Sequence, residues 1–522
     1  MPGQVLAILE VSQKQAYIFS SNKVRDNIVN SAVIAYIMSV PYLEKAVADA
    51  EIFNKEDNYV YAGGGHTVLQ FDTMEKARAC MQAVTRHVHE NYPDVELFVK
   101  LLDCNSEELR DLPPGKKLQA LTKALEEKKT FRTSSFGLSS YGVERLDANT
   151  LRPERVLTEE QKANKAAPPE PEQALEKTLM PEGYQPTYQF ERLGGSKDDK
   201  NYLAIVHIDG NGMGKRVANF YQENMGLEWD AFRNAVGTFS QEIDDLYKNA
   251  YRRMNDAVAA RLADGSFADL DLKKDNFPVR RIITSGDDIC FVSDGRIGLY
   301  CAAEFIRQLL EVSGHRFTAS AGVAIVHQKY PFFKAYELAE SLCGNAKTYS
   351  ARLAEGTTYE GSDVCAIDWH VEQGEIRDSL EDVRSAYRTR DGGYLELRPY
   401  ILEAPQELLE KDPHRRFEVF CKVLQIVQAK GVESVRSKMK ELRAELKKGE
   451  AAADFFIHFH KMDDIILRAY GDIYESLDMS KLFTGQKQDR KFFVETFDAK
   501  KCSTLYDAVE IMDTCIIPQI GG

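Results

Sequence analysis

Two long stretches of the chain repeat one order of apolar strands and amphipathic helices. Short apolar runs indicate strands, and apolar residues at a period of about 3.6 indicate helices. The predicted strands are 6–11, 59–62, 67–71 and 96–102 in the first stretch, and 202–208, 280–284, 289–292 and 318–326 in the second. Both stretches follow the order strand, helix, hairpin, helix, strand, which is that of a ferredoxin-like split βαβ unit. The sequence therefore predicts a duplicated fold.

Segments of different character separate and follow these stretches. Residues 150–200 contain prolines, charges and few apolar runs, which favours a linker or a long insertion. From about residue 371, long helical apolar repeats predict a helical bundle. We predict the fold class α+β, with two ferredoxin-like domains in tandem, at 1–149 and 201–370, followed by an α-helical domain at 371–522.

The composition is typical of a folded soluble protein with an acidic balance. Hydrophobic residues make up 43% and charged residues 28%, and 67 Lys and Arg against 81 Asp and Glu give a net charge of −14. This balance argues against extensive nucleic-acid binding, and we expect no DNA partner. The sequence has no C-x-x-C pair and no uninterrupted apolar run of about 20 residues, so we expect a cytoplasmic protein without a membrane partner.

A candidate site for metal and phosphate follows the first strand of the second stretch. Asp209 ends that strand and leads into a glycine-rich run, Gly210-Asn211-Gly212-Met213-Gly214. A carboxylate beside glycines offers a metal ligand next to backbone N–H groups that can approach phosphate closely. The alternative interpretation is a polar turn that leaves a strand.

The second candidate is the tip of the following hairpin, Ser285-Gly286-Asp287-Asp288. Two carboxylates at this tip, beside Asp209 on the neighbouring strand, could hold two Mg²⁺ or Mn²⁺ ions. Such a pair of ions serves phosphoryl transfer from a nucleoside triphosphate. Taken alone, the motif is typical of a plain hairpin turn.

Lys347, late in a predicted helix, is a third candidate. Its ammonium could neutralise a triphosphate tail as a compact point charge. The alternative is a solvated lysine favourably placed near a helix C-terminus.

Together these motifs resemble the large polymerase-like subunit of type III CRISPR effector complexes, the Cas-ten family, which is related to GGDEF-type diguanylate cyclases. The matching segments are Ile18–Arg25, Tyr61–Gly65, Ile208–Asn211, Ser285–Asp288, Ser320–Ile325, Ala335–Ala339, Asn345–Lys347 and Ala366–His370. The resemblance implies two palm domains, the second of which converts ATP into cyclic oligoadenylate messengers for antiviral defence. It also implies metal binding at Asp209, Asp287 and Asp288, triphosphate contact at Lys347, and guide or target RNA and small subunits as partners.

The chain departs from that family in three ways. It contains no His-Asp dipeptide, so we expect no counterpart of the family's HD nuclease. The cysteine-rich zinc element between the palms has no counterpart either. Ser285 stands in place of the first glycine of the hairpin, a change that removes no predicted metal ligand.

The two halves differ where the second carries its aspartates. Alignment by apolar pattern places Ser12, Gly65 and His66 at the three carboxylate positions, so we predict a first palm without metal ions. That palm could still bind a nucleotide, because glycines allow close backbone approach to phosphate. The residues predicted to do so are Gly63, Gly64, Gly65, Asn22 and Lys23, with Arg25 adding charge. On this hypothesis, one ATP lies on each half.

The predicted function is a nucleotidyltransferase that joins ATP molecules into a cyclic oligonucleotide through 3′ to 5′ phosphodiester bonds. Two alternatives stay open: a scaffold subunit of an RNA-guided complex, and a polymerase that releases linear product. The acidic balance argues against the first. A polymerase needs a groove for the growing strand, and the sequence shows no series of basic and aromatic residues suited to one, which argues against the second.

Overall fold

Two β-sheets with helices packed on their faces form the core of the protein in the computed structural model. The structure describes residues 5–21, 23–131, 143–146, 156–187, 193, 201–270, 272, 276–372, 379–428, 433–462 and 492–518. The predicted combination of sheets and many helices is confirmed.

The first sheet has four antiparallel strands. They are β1 (Val5–Val11), β2 (Tyr59–Gly63), β3 (His66–Phe71) and β4 (Leu97–Asp103), in the order β2-β3-β1-β4. The helices of this half are α1 (Lys14–Ile18), α2 (Val24–Ile37), α3 (Val40–Val47), α4 (Lys55–Asn58), α5 (Met74–Asn91) and α6 (Pro114–Thr130). Alternate residues of β1 pack against α2 and α5 on one face and α6 on the other, which is why every residue of this strand except Glu10 is apolar.

The second sheet has six strands. They are β5 (Tyr202–Gly210), β6 (Val279–Ser285), β7 (Asp288–Asp294), β8 (Ala319–His327), β9 (Cys365–Val371) and β10 (Tyr400–Glu403), in the order β10-β9-β8-β5-β7-β6. Its helices are α9 (Met213–Glu223), α10 (Trp229–Ala263), α11 (Gly298–Ser313) and α12 (Phe332–Ala354). The central strand β5 is buried between α11 on one face and α12 on the other.

The two halves share a continuous core. Phe19 of the first half stacks on Tyr336 of α12, with ring centroids 3.8 Å apart. The long helix α10 reaches across to the first hairpin, where the Ser240 hydroxyl donates to the Ala62 carbonyl at 2.8 Å. Apolar side chains of β1, β5 and β7 belong to one buried cluster. These contacts fix the position of one sheet against the other.

The segment predicted as a linker, 150–200, contains two helices among its described residues, α7 (Glu159–Ala166) and α8 (Glu170–Leu179). Glu176 of α8 is buried and accepts from Arg281 Nε at 2.7 Å, and it also pairs with Arg280. The glutamates and prolines that suggest a free connection here instead start a helix and neutralise arginines of β6.

The C-terminal region is mainly helical, but it is not the purely helical bundle that the sequence predicts. The helices among its described residues are α13 (Leu380–Ser385), α14 (Gln406–Lys411), α15 (Phe417–Gln428), α16 (Glu433–Leu446), α17 (Glu450–Phe459) and α18 (Tyr506–Ile511). Strand β10 extends the second sheet because Tyr400 stacks on Trp369 of β9, with centroids 5.2 Å apart. A small hairpin is formed by β11 (Phe493–Glu495) and β12 (Lys501–Ser503).

In the part of the chain that the structure describes, no helix combines the length and apolar character needed to cross a bilayer.

Candidate active site

The three predicted aspartates lie where β5 ends and β7 begins, at one end of the strands of the second sheet. Asp209, near the end of β5, is the cross-strand partner of Asp288, the first residue of β7. Asp287 lies in the two-residue turn before it, where Gly286 adopts a φ of +61° that hairpin turns favour in glycine. Strand pairing thus brings together carboxylates that are far apart in the sequence.

These carboxylates oppose one another's ionisation. Burial and the charge of Asp209 raise the pKa of Asp287 to about 6. The same two causes, in the same order, raise the pKa of Asp288 to about 7. Adding a cation favours the ionised form of such a cluster. A bound cation would therefore stabilise the ionised form of this carboxylate cluster.

Lys347 of α12 supplies one positive charge to this cluster. Its ammonium donates to Asp209 Oδ2 at 2.6 Å and to the Gly210 carbonyl at 2.7 Å. A lysine ammonium has three donors, so one is left for a phosphate oxygen. The sequence predicts that Lys347 contacts a triphosphate. In the structure, its ammonium contacts Asp209, one of the predicted metal ligands.

Tyr247 of α10 is a site residue that the sequence analysis misses. Its side chain is fully buried, and its hydroxyl has no hydrogen-bond partner among the residues that the structure describes. A Cβ built at Gly210 would lie 2.6 Å from this hydroxyl and 2.9 Å from the Cβ of Asp287. Because Gly210 has no side chain, Tyr247 and Asp287 can pack directly against the end of β5. A tyrosine within a long helix gives no sequence signal of this role.

His207 is the second missed residue. Its Nδ1 lies 3.6 Å from Asp288 Oδ1, and both atoms are buried with no hydrogen-bond partner in the described part of the chain. Burial lowers the pKa of the imidazole, which favours its neutral form. The sequence does hold a signal here, because His207 is two residues before Asp209 and so faces the same side of the strand.

A cavity of 1530 Å³ lies between the two hairpins. Residues 63–66 of the first hairpin and 285–288 of the second contribute to its lining. At the tips the backbones approach closely, since a Cβ at Gly286 would lie 3.9 Å from the backbone nitrogen of Gly64. Ligand pockets commonly measure about 300–1,000 Å³. The volume is sufficient for more than one nucleotide.

The first hairpin repeats the geometry of the second, but the predicted equivalence of Ser12 and Asp209 is wrong. His66 begins β3 as Asp288 begins β7, and the residue opposite His66 on β1 is Glu10. Glu10 therefore holds the position of Asp209. A slip of two residues leaves every side chain on its own face, so the apolar pattern cannot detect it.

The first half neutralises its carboxylate with lysines. Glu10 Oε1 lies 2.9 Å from Lys129 Nζ and 3.9 Å from Lys14 Nζ. Lys14 also donates to the Gly64 carbonyl. Burial lowers the pKa of Lys14 and, with these two cations, lowers the pKa of His66 to about 4. One carboxylate paired with two lysines leaves this hairpin without a set of metal ligands.

The structure separates the remaining predicted residues into two groups. Those that line the cavity are Gly63, Gly64, Gly65, Ser285, Gly286, Asp287 and Asp288. Those that do not are Asp209, Gly210, Asn211, Gly212, Gly214, Lys347, Lys23 and Arg25. Asn22 lies outside the described residues. Asp209, Gly210 and Lys347 still belong to the site through their contacts with one another and with Asp287.

Asn211 and Arg25 have other roles. The buried Asn211 amide donates to the Val364 carbonyl at 2.9 Å, and its oxygen accepts from the Ser320 hydroxyl at 3.1 Å. Arg25 donates to the Ala166 carbonyl at 2.6 Å. Asn211 therefore fixes the loop after β5 instead of facing a nucleotide.

The carboxylates of the three aspartates are suitable ligands for a hard divalent cation, but their side chains do not converge on one point. Carboxylate oxygens are the ligands that Mg²⁺ and Mn²⁺ prefer, and the buried Asp288 Oδ1 accepts no hydrogen bond from any described residue. Among the described residues, however, no three carboxylate, imidazole or thiol groups converge on a point suited to a metal ion. The Lys347 ammonium contacts the oxygen that Asp209 would offer. Ion binding here requires these side chains to turn toward a common centre.

The second half matches a known family. Residues 202–354 match the sequence model described as Cas10/Cmr2, second palm domain. The chain resembles a Cas10-like large subunit. This confirms the resemblance inferred from the motifs. No curated protein matches the chain.

Solved structures share the Cas10-like fold over nearly the whole chain. The apo Csm1-Csm4 cassette has a TM-score of 0.53 at 13% identity and covers 97% of this chain and 69% of that one. The Csm1-Csm4 cassette in complex with pppApA has a TM-score of 0.53 at 14% identity, over 98% and 69%. Csm1 in T. onnurineus has a TM-score of 0.51 at 12% identity, over 98% and 69%. At such identities the likeness concerns the fold.

Proposed function

We propose that this Cas10-like chain is a nucleotidyltransferase that joins ATP molecules into a cyclic oligoadenylate messenger for antiviral defence. One observation carries the proposal. Three aspartates of the second palm domain lie near one another at the end of β5, beside a cavity large enough for two nucleotides. Similar folds have been solved with cA4 and with pppApA.

We interpret both sheets as ferredoxin-like palm domains. The strand order β4-β1-β3-β2 of the first sheet has the same pattern as β8-β5-β7-β6 in the second. Both arise from the order strand, helix, hairpin, helix, strand. The proposed domains are a first palm at 1–149, an insertion at 150–200, a second palm at 201–370 and a C-terminal domain at 371–522.

In this proposal one ATP binds at each hairpin, and this placement orients the two ATP molecules for reaction with each other. The glycines of both tips allow backbone N–H groups to approach phosphates closely. Lys14 beside the first hairpin and Lys347 beside the second provide cations for the triphosphates. The 3′-hydroxyl of one ATP loses its proton to water, and its oxygen bonds to the α-phosphorus of the other ATP. The bond from that phosphorus to the oxygen bridging to the β-phosphate breaks, and pyrophosphate leaves.

The three aspartates would hold two Mg²⁺ or Mn²⁺ ions. When bound, such ions lower the pKa of the attacking hydroxyl and neutralise charge on the α-phosphate and pyrophosphate. Tyr247 and His207 lie behind Asp287 and Asp288 and restrict the positions that these carboxylates can take. The residues of the chain thus supply ligands, orientation and charge.

A scaffold role beside synthesis is favoured by the partners named with similar folds. The apo cassette pairs Csm1 with Csm4. We propose that this chain also binds a smaller subunit and guide or target RNA within a type III CRISPR complex. RNA that co-purifies with the chain, with no product from ATP, favours the scaffold alone.

The test incubates the full chain with each NTP and Mg²⁺ or Mn²⁺ and identifies products by mass spectrometry. We expect a cyclic product from ATP, lost in Asp287→Asn and kept in Asp264→Asn, a matched change of an exposed aspartate at the end of α10. Product formation by Asp287→Asn contradicts the proposal. Open-ended linear products favour a polymerase.

A further inference from the structure

A basic groove lies on the first half, away from the cavity between the hairpins. It has a volume of 840 Å³ and shares no lining residue with that cavity. Ten residues of the described part of the chain line it, of which five are basic and none is acidic. The basic residues are Arg78, Arg86, His89, Lys100 and Lys128. We name it the α5–β4 groove.

The groove follows from how two helices pack at the sheet edge. Strand β4 is an edge strand, and its residues 99–101 form the floor. Helix α5 packs on one face of the sheet and presents Arg78, Arg86 and His89 as one wall. Helix α6 packs on the other face and presents Lys128 from its last turn. Cations thus surround a shallow trough on both sides.

These cations lie together in one groove of a chain whose net charge is −14. Arg78, Arg86 and Lys100 form no ion pair with any residue that the structure describes, whereas arginines elsewhere, such as Arg253 and Arg316, pair with glutamates. Arg78 and Arg86 are exposed. Unpaired cations gathered in one trough produce a local positive potential that attracts a polyanion.

We propose that the α5–β4 groove binds the phosphodiester backbone of a nucleic acid without reading its bases. Arginine and lysine are the residues that contact phosphates in such interfaces. Among the described residues that line it, none is Phe, Tyr or Trp, so the large rings on which bases usually stack are lacking there. Eight positions on α5 separate Arg78 from Arg86, which is about 12 Å, or about three to four nucleotides of one strand.

An acidic peptide is the competing occupant, and the structure argues against it. A peptide would add to the edge strand through main-chain hydrogen bonds. Lys128 Nζ already donates to the Val99 carbonyl at 2.8 Å, which closes that part of the edge. A lysine over an edge strand is a common block to strand addition. A phosphate backbone needs only the side-chain cations.

The test measures fluorescence anisotropy of a short labelled single-stranded RNA of mixed sequence with the full chain. A triple variant, Arg78→Gln, Arg86→Gln and Lys100→Gln, should weaken binding more than tenfold. It should also reduce the slope of log K against log salt by about 2, since each lost phosphate contact removes about 0.7. A control triple, Lys438→Gln, Lys440→Gln and Lys448→Gln, removes equal charge from α16 and the turn after it, where Lys440 and Lys448 are exposed and Lys438 is half-buried.

The inference does not depend on nucleotidyl transfer, so ATP turnover without RNA should be the same in both triple variants and the wild type. Failure of the wild type to bind RNA overturns it. So does equal binding by the two triple variants, or displacement of RNA by poly-glutamate at equal charge concentration. Equal affinity for RNAs of different sequence supports backbone recognition, and a strong base preference contradicts it.

Discussion

The substitution Gly210→Ala tests the close packing at the end of β5. A Cβ there would lie 2.6 Å from the Tyr247 hydroxyl, and 2.9 and 3.0 Å from Asp287 Cβ and Oδ2. Non-bonded heavy atoms favour separations of about 3.5–4.0 Å. The neighbours must therefore move by about 0.5–1 Å. Tyr247 is fixed in the core, so the hairpin turn with Asp287 moves.

The expected result is a large loss of activity with a moderate loss of stability. Overpacking of this kind costs about 1–3 kcal/mol. A displacement of about 1 Å at a reacting centre can lower a rate by about 10²-fold. Pyrophosphate release from ATP and thermal unfolding measure the two effects on the same preparation.

Two further variants decide whether the clash is the cause. Gly344→Ala, in α12, places its Cβ where no atom lies within 4 Å, so activity should stay at the wild-type level. Tyr247→Phe removes the atom closest to the new methyl group, so it should restore part of the stability of Gly210→Ala. Equal activity of Gly210→Ala and Gly344→Ala refutes the reasoning, and strictly additive losses in the double variant do so too.

Other predictions concern charge. Without divalent ions, the contribution of Asp287 and Asp288 to thermal stability should fall as pH rises from about 4 to about 7. The folded state holds protons on Asp287 and Asp288 with pKa values of about 6 and 7, above the ordinary value, so unfolding releases protons in this range. Melting curves with Asp288→Asn should show a weaker pH dependence, and an unchanged dependence contradicts the assignment. Glu176→Gln removes the negative charge that pairs with the buried guanidinium groups of Arg280 and Arg281. The free energy of unfolding measured in urea should fall by about 3–5 kcal/mol. A decrease below about 1 kcal/mol contradicts the buried network.

The position of the site could be predicted because strand ends and turns carry clear signals. Asp209 follows an apolar run, and the Ser285–Asp288 turn interrupts two others. Hairpin geometry then requires that Asp288 begin a strand next to that of Asp209. Tyr247 and Lys14 could not be found in this way, because their proximity depends on how helices pack on the sheets.

The amino-acid pattern by itself determined the repeated strands, the two glycine-rich hairpins and the acidic residues of the second. Tertiary structure alone decided that Glu10 takes the place of Asp209 in the first half, since a strand shifted by two residues buries the same side chains. It alone decided that the cations of α5, β4 and α6 meet in one groove of an acidic protein. Local periodicity records which face of an element is buried, whereas register and the meeting of distant elements depend on packing across the whole fold.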